Sequence, residues 1–144
     1  TNITQLLLFL PVLILLFPYA GQAADTSSVA ATALYEGADR QQRLIAAAKK
    51  EGSLLLYNSL TPKDLAVLAD GFEKKFGIKV NSWRASSNDV LQRVLSEAAA
   101  NRFDFDAVHL SAPEMEALHR EKILQAVKSP YIKDLIAAGL PAHR

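Results

Sequence analysis

The stretch Leu54-Leu55-Leu56-Tyr57-Asn58-Ser59-Leu60-Thr61-Pro62-Lys63-Asp64 decides the fold. It opens as an unbroken apolar run, the pattern of a strand covered on both faces. It turns polar at Asn58 and Ser59. At Thr61 a helix begins: a Thr cap, Pro62 at the first helical position and Asp64 three residues after the cap. A buried strand feeding directly into a capped helix is a βα unit. In open α/β sheets ligands bind beyond the carboxyl ends of the strands. Asn58, Ser59, Leu60 and Thr61 are therefore expected at such an edge.

Downstream the same design recurs twice. The helix that starts at Pro62 carries Leu65, Leu68, Ala69, Phe72 and Phe76 at helical spacing and stops at Gly77. Ile78 to Trp83 follows as a second strand. Its apolar residues alternate with Lys79 and Asn81, as in an outer, less buried strand. After Arg84-Ala85, either Ser86 or Ser87 caps a helix with Asp89 in its first turn. Val90, Leu91, Val94, Leu95 and Ala98 form its apolar stripe, and Asn101-Arg102 closes it. A third strand spans Phe105 to Leu110 and ends at Ser111, with Pro113 and Glu114 behind it in a second capping-box pattern. Met115 and Leu118 mark the next helix, which ends near Glu121. Ile123-Leu124 is a short apolar return. Ser129-Pro130 opens a last helical piece with Ile132, Leu135 and Ile136, stopped by Gly139 and Pro141.

Upstream, Asp39 to Glu51 reads as a helix. Leu44, Ile45 and Ala48 lie on one face, Arg40, Arg43, Lys49 and Lys50 on the other, and Gly52 sits at its C-terminus. Residues 24–38 read as a loose start of the mature chain. Leu6 to Phe17 is apolar and too short for a membrane span of about 20 residues. With Gly21-Gln22-Ala23 behind it, it reads as a signal peptide over residues 1–23, cleaved after Ala23. An uncleaved anchor is the other reading. The order α-β-α-β-α-β-α predicts an α/β fold with a mostly parallel sheet in three αβα layers.

Composition narrows the function classes. The 144 residues suffice for one domain and half of them are apolar. The net charge is +1, from 16 basic and 15 acidic residues, which makes no electrostatic case for nucleic acid. Cysteine is absent, so disulfides, cysteine zinc sites and thiol nucleophiles are excluded. The chain starts at Thr1 and stops soon after a helical pattern, and a three-stranded sheet has exposed edges. These features read as an N-terminal fragment.

The constellation that carries chemistry is spatial. Three strand ends lead into three helices, whose N-termini face one edge with free N–H groups and positive dipole ends. Asn58, Ser59, Leu60 and Thr61 from the first loop, Arg84, Ser86 and Ser87 from the second, and Ser111 from the third are the candidate ligand-binding residues. Arg84 is a fork donor suited to carboxylate or phosphate, or else a surface ion-pair former. The hydroxyls are caps, ligand contacts, or both. A donor-rich edge suits a small anionic or zwitterionic solute. Trp83 packs against the helices or walls the pocket, and Tyr57 belongs to the core or the rim. His109, His119 and His143 lack metal-ligand spacing. Asp104 and Asp106 read as turn and edge residues at the far end of the third strand. No Gly-x-Ser-x-Gly elbow, dinucleotide fingerprint or P-loop is present. No catalytic residue, metal ligand or cofactor is assigned.

Several segments, in order, resemble the N-terminal part of family 1 extracellular solute-binding proteins. They are Tyr35-Glu36-Gly37-Ala38-Asp39-Arg40, Lys49-Lys50-Glu51-Gly52, Phe72-Glu73-Lys74-Lys75-Phe76-Gly77-Ile78-Lys79-Val80, Trp83-Arg84-Ala85-Ser86-Ser87, Pro113-Glu114-Met115 and Ser129-Pro130-Tyr131. The ferric-iron-type branch is the nearest in pattern. The resemblance spans Tyr35 to Arg144. It implies a type II periplasmic-binding-protein fold of two lobes, with residues 39–144 as the first and the second absent. It further implies a monomeric periplasmic protein that traps a solute between its lobes and docks on the permease of an ABC importer. Ferric binders of this branch carry a His in the first βα loop, where Thr61 or a neighbour stands here. They carry a Glu after the third strand, where Ser111 stands. The departure favours a small anionic solute over free iron, with iron held through a synergistic anion as the alternative. An alternative of another class is an exported α/β hydrolase using Ser59 or Ser111 with His109.

Overall fold

The computed structural model describes residues 26–134. The expected signal segment, and Leu135 and Ile136 of the last helical piece, lie outside the described residues. The elements are α1 (Thr26–Leu34), α2 (Arg40–Glu51), β1 (Ser53–Asn58), α3 (Pro62–Phe76), β2 (Lys79–Arg84), α4 (Ser87–Ala99), β3 (Ala107–His109), α5 (Ala112–Arg120) and a 3-10 turn at Pro130–Asp134. The α/β reading holds, with helices flanking a parallel sheet of order β2-β1-β3.

The central place of β1 follows from its apolar run, and Leu56, Tyr57 and Asn58 are all buried. The alternating β2 is an edge strand, as its polar residues require. From β1 the chain crosses to one side to form β2, then back past β1 to form β3. Right-handed crossovers in opposite directions place α3 and α4 on opposite faces of the sheet.

The two faces are filled unequally. Tyr57 on β1 meets Val90 and Val94 of α4, Leu110, and Leu118 of α5 in one buried cluster. Trp83, Phe105, Ile123 and Leu124 close around it. The apolar return at Ile123-Leu124 is thus a lid on this core. On the other side α3 buries no residue fully, and Leu68, expected on its covered face, is 57% exposed beside Val67.

Local chemistry accounts for the boundaries. Thr61 accepts the Asp64 N–H at the start of α3, and Gly77 ends that helix at φ 68°, where a side chain is disfavoured. Gly52 plays the same part after α2 at φ 84°. Ser86, rather than Ser87, is the side-chain cap of α4. The third strand is shorter than its sequence pattern. Asp106 accepts the Leu55 N–H through its carboxylate at 2.7 Å, so a side chain replaces the ladder at the strand's start. This is the edge role expected of Asp106, while Asp104 pairs with Arg102 at 3.0 Å.

Two expectations are corrected. Residues 26–34, read as loose, form α1. Alanine-rich segments have high helix propensity even without an apolar stripe, and both Val29 and Leu34 stay exposed. Ser111 is at the N-cap position of α5 yet makes no side-chain cap bond, so the capping box there does not form. Its hydroxyl is engaged elsewhere.

Candidate ligand-binding site

The register sets the site. Asn58 is level with Arg84 on β2 and with His109 on β3, so all three strands end together. The residues that follow leave the sheet at one edge.

Asn58 is fully buried and ties the strand ends to one another. Its amide nitrogen donates to the Leu56 and Trp83 carbonyls, both at 3.4 Å. Its side-chain oxygen accepts the Leu60 N–H at 3.3 Å, and its carbonyl accepts the Ala85 N–H. Sequence reasoning placed Asn58 as a ligand contact; its polar atoms are spent on the backbone.

Ser59, Ser87 and Ser111 meet. Ser87 Oγ donates to Ser59 Oγ at 2.9 Å and lies 2.9 Å from Ser111 Oγ. It also accepts the Ser111 N–H at 3.3 Å. Ser111 is drawn into this contact, which explains why it fails to cap α5. One hydroxyl from the segment that follows each β-strand thus joins a single cluster at the carboxyl edge. Ser59 N–H donates to the His109 carbonyl at 3.1 Å, closing the first loop onto the third strand.

The remaining candidates surround this cluster in different roles. Thr61 and Ser86 are both caps: each accepts the backbone N–H three residues on and donates to that residue's carboxylate at 2.7 Å. Arg84 donates through Nε to the Leu60 carbonyl at 2.6 Å, clasping the first loop to the end of β2. Its charge stays exposed at the edge. His109 forms no hydrogen bond to the Ser59 or Ser111 hydroxyl, which bond to Ser87 instead. Among the described residues no group of three or more His, Asp or Glu side chains is arranged to hold a metal ion.

Sequence reasoning missed the group beneath this edge. Glu97, on α4, is 6% exposed and accepts from Tyr57 Oη at 2.9 Å and from Arg93 Nε at 2.8 Å. The Arg93 guanidinium lies over the Trp83 ring at 4.3 Å and the Tyr57 ring at 4.6 Å. Burial pushes the Glu97 carboxyl up, but the bonds from Arg93 and Tyr57 and the charges of Arg93 and Arg102 prevail and hold it below its usual value. Burial, then the bond to Glu97, pushes the Tyr57 hydroxyl up. The available signal was spacing: Glu97 falls three after Val94 and four after Arg93, on the buried stripe. Trp83 is resolved by the same group: it packs against Tyr57 at a centroid distance of 5.2 Å.

A separate cleft of about 380 Å³ lies between Glu36–Gln41 and Lys128–Tyr131. Arg40 crosses it to the Lys128 carbonyl at 2.6 Å, and Lys128 pairs with Glu36 at 2.6 Å. No strand-end residue lines it.

No protein-family model matches the chain. No curated protein matches it. Among solved structures, the chain is similar to one from Trichodesmium, titled IdiA (FutA) in complex with iron and citrate ligands. The two are 30% identical with a TM-score of 0.52, over 63% of this chain. The matched part is 28% of that structure's length. The parallel three-stranded sheet flanked by helices agrees with one lobe of a type II periplasmic-binding-protein fold.

Proposed function

We propose that this chain is a binding lobe of an exported solute-binding protein. It captures a small anionic or zwitterionic solute at the strand-end edge, within a cleft completed by a second lobe, and delivers it to the permease of an ABC importer. The observation that carries the reading is the meeting of Ser59, Ser87 and Ser111 at 2.9 Å contacts, beside helix N-termini and the exposed charge of Arg84. Hydroxyls and free N–H groups at helix starts recognise carboxylate or phosphoryl oxygens. The similarity to a structure holding iron and citrate supports solute binding as the class.

That same similarity favours a second reading, in which a ferric ion arrives with an anion such as citrate and this lobe holds the anion. Serine hydroxyls are poor ligands for a hard trivalent ion, so the metal itself belongs to other groups. The hydrolase reading loses its geometric support, since the serines bond to one another and not to His109.

Native mass spectrometry of the full-length, periplasm-purified protein tests the proposal. A co-purified organic or phosphorus-containing anion is the expected result. An adduct of iron with an anion selects the second reading. Turnover of ester or phosphoester substrates that is lost in Ser59→Ala, with no bound solute, overturns both.

A further inference from the structure

We infer that the strand-end site selects an oxyanion that bears a neighbouring O–H or N–H donor, and that Ser87 sets this preference without touching the ligand. The inference rests on the solute-binding reading and names its substrate class. It follows from counting protons. A serine hydroxyl has one proton and two lone pairs. Ser59, Ser87 and Ser111 hold three protons, and among the described residues the Ser59 and Ser111 hydroxyls bond to Ser87 alone. These two internal bonds use two of the three.

Ser87 is saturated. It donates to Ser59, accepts the Ser111 N–H, and takes its remaining bond from the Ser111 hydroxyl. Its one proton and both lone pairs are committed. The single free proton then sits on Ser59, and Ser111 faces outward with lone pairs only. Both ends cannot donate to Ser87, because with the Ser111 N–H that would require a third lone pair. While both internal bonds are kept, the Ser59 end therefore donates and the Ser111 end only accepts.

A ligand that offers only oxygen lone pairs meets a like surface at the accepting end. A ligand with a hydroxyl or amino group next to its carboxylate or phosphoryl satisfies both ends. Its oxyanion is left for the helix N–H groups, including those of α5, which has no side-chain cap.

The test uses two probe pairs of equal charge and equal skeleton: 2-hydroxyglutarate against 2-oxoglutarate, and lactate against pyruvate. Each pair exchanges an O–H for a C=O. Binding to the full-length chain is followed by NMR at the amides of Ser59, Ser87 and Ser111. The hydroxy member is expected to bind at least about tenfold tighter. Ser87→Ala frees both end hydroxyls to donate, and the preference should fall below about twofold, while Ser87→Thr retains it. Equal affinity within both pairs for the wild type overturns the inference alone, and this holds whether or not Ser87→Ala folds. So does a preference unchanged in Ser87→Ala. If neither pair perturbs the three amides, the strand-end assignment itself fails and takes the inference with it.

Discussion

Tyr57 Oη donates to Glu97 Oε1 at 2.9 Å, joining the central strand to the last turn of α4. Tyr57 is 1% exposed and Glu97 6% exposed, so the bond is shielded from water on both sides. Arg93 completes the pair from the surface, with its guanidinium against both aromatic rings. This contact fixes α4 along its axis, and with it Ser86 and Ser87 at its start.

The pair predicts a stability plateau bounded on both sides. In the native state Glu97 holds its proton less firmly than the ordinary value of 4.5. Below that value the unfolded chain takes up a proton that the native protein resists, so stability falls as pH drops through the native value. The Tyr57 hydroxyl is raised above 10.0, so above that pH the unfolded chain releases a proton that the native protein retains, and stability falls as pH rises. Glu97→Gln should flatten the acid limb and Tyr57→Phe the alkaline limb. Urea unfolding of each variant between acid and alkaline pH measures this. Identical acid slopes in wild type and Glu97→Gln contradict the assignment.

Asn58 predicts a stability effect in place of a direct binding effect. Its side chain bonds to Leu56, Trp83 and Leu60 in a fully buried position. Asn58→Ala removes these bonds, leaves the Leu60 N–H without its acceptor and opens a buried space, and should destabilise the protein by about 1–3 kcal/mol. Denaturant melts of the folded chain check the figure. An unchanged midpoint would mean that water takes over the Leu60 N–H instead.

The serines and threonine at the strand ends should separate into two classes. Thr61 and Ser86 cap their helices, and replacing either by Ala should cost about 1 kcal/mol of stability. Ser111 caps nothing, so Ser111→Ala should cost less stability than these while weakening solute binding. Parallel melts and titrations decide this. Equal destabilisation by all three would show that Ser111 serves as a cap after all.

Arg84 combines a clasp with an exposed charge. Arg84→Lys keeps the charge but loses the planar Nε donor to the Leu60 carbonyl. Arg84→Ala loses both. Affinity for an anionic solute should fall in the order wild type, Lys, Ala, with the Ala variant at least about tenfold weaker. Calorimetric titration reads the order, and an Ala variant that binds as wild type removes Arg84 from the site.

Much of this was legible because local signals agreed with the global fold. The apolar run before Asn58 announced the central strand, and the Thr61-Pro62-Asp64 pattern announced α3 to its first residue. The alternation in Lys79 to Arg84 announced an edge. What stayed hidden depends on contacts between distant segments. Nothing near Ser111 says that its hydroxyl turns to Ser87 instead of the Glu114 N–H. Nothing near Glu97 says that a Tyr 40 residues earlier waits for it. The exposure of Leu68 was equally invisible, because a stripe shows which face is apolar and not whether anything covers it.

The Ser87 junction also has a consequence for how the chain acquires its structure. Its partners lie 28 residues before it and 24 after it. Neither bond forms until two βα units have closed on one another, and closing loops of that length carries an entropic cost before any contact repays it. The recognition surface is therefore among the last features to form as the chain folds, and no single hairpin or βα piece contains it. A solute that binds there reports on completed topology, and added during refolding it should accelerate nothing early while slowing the escape from the finished fold.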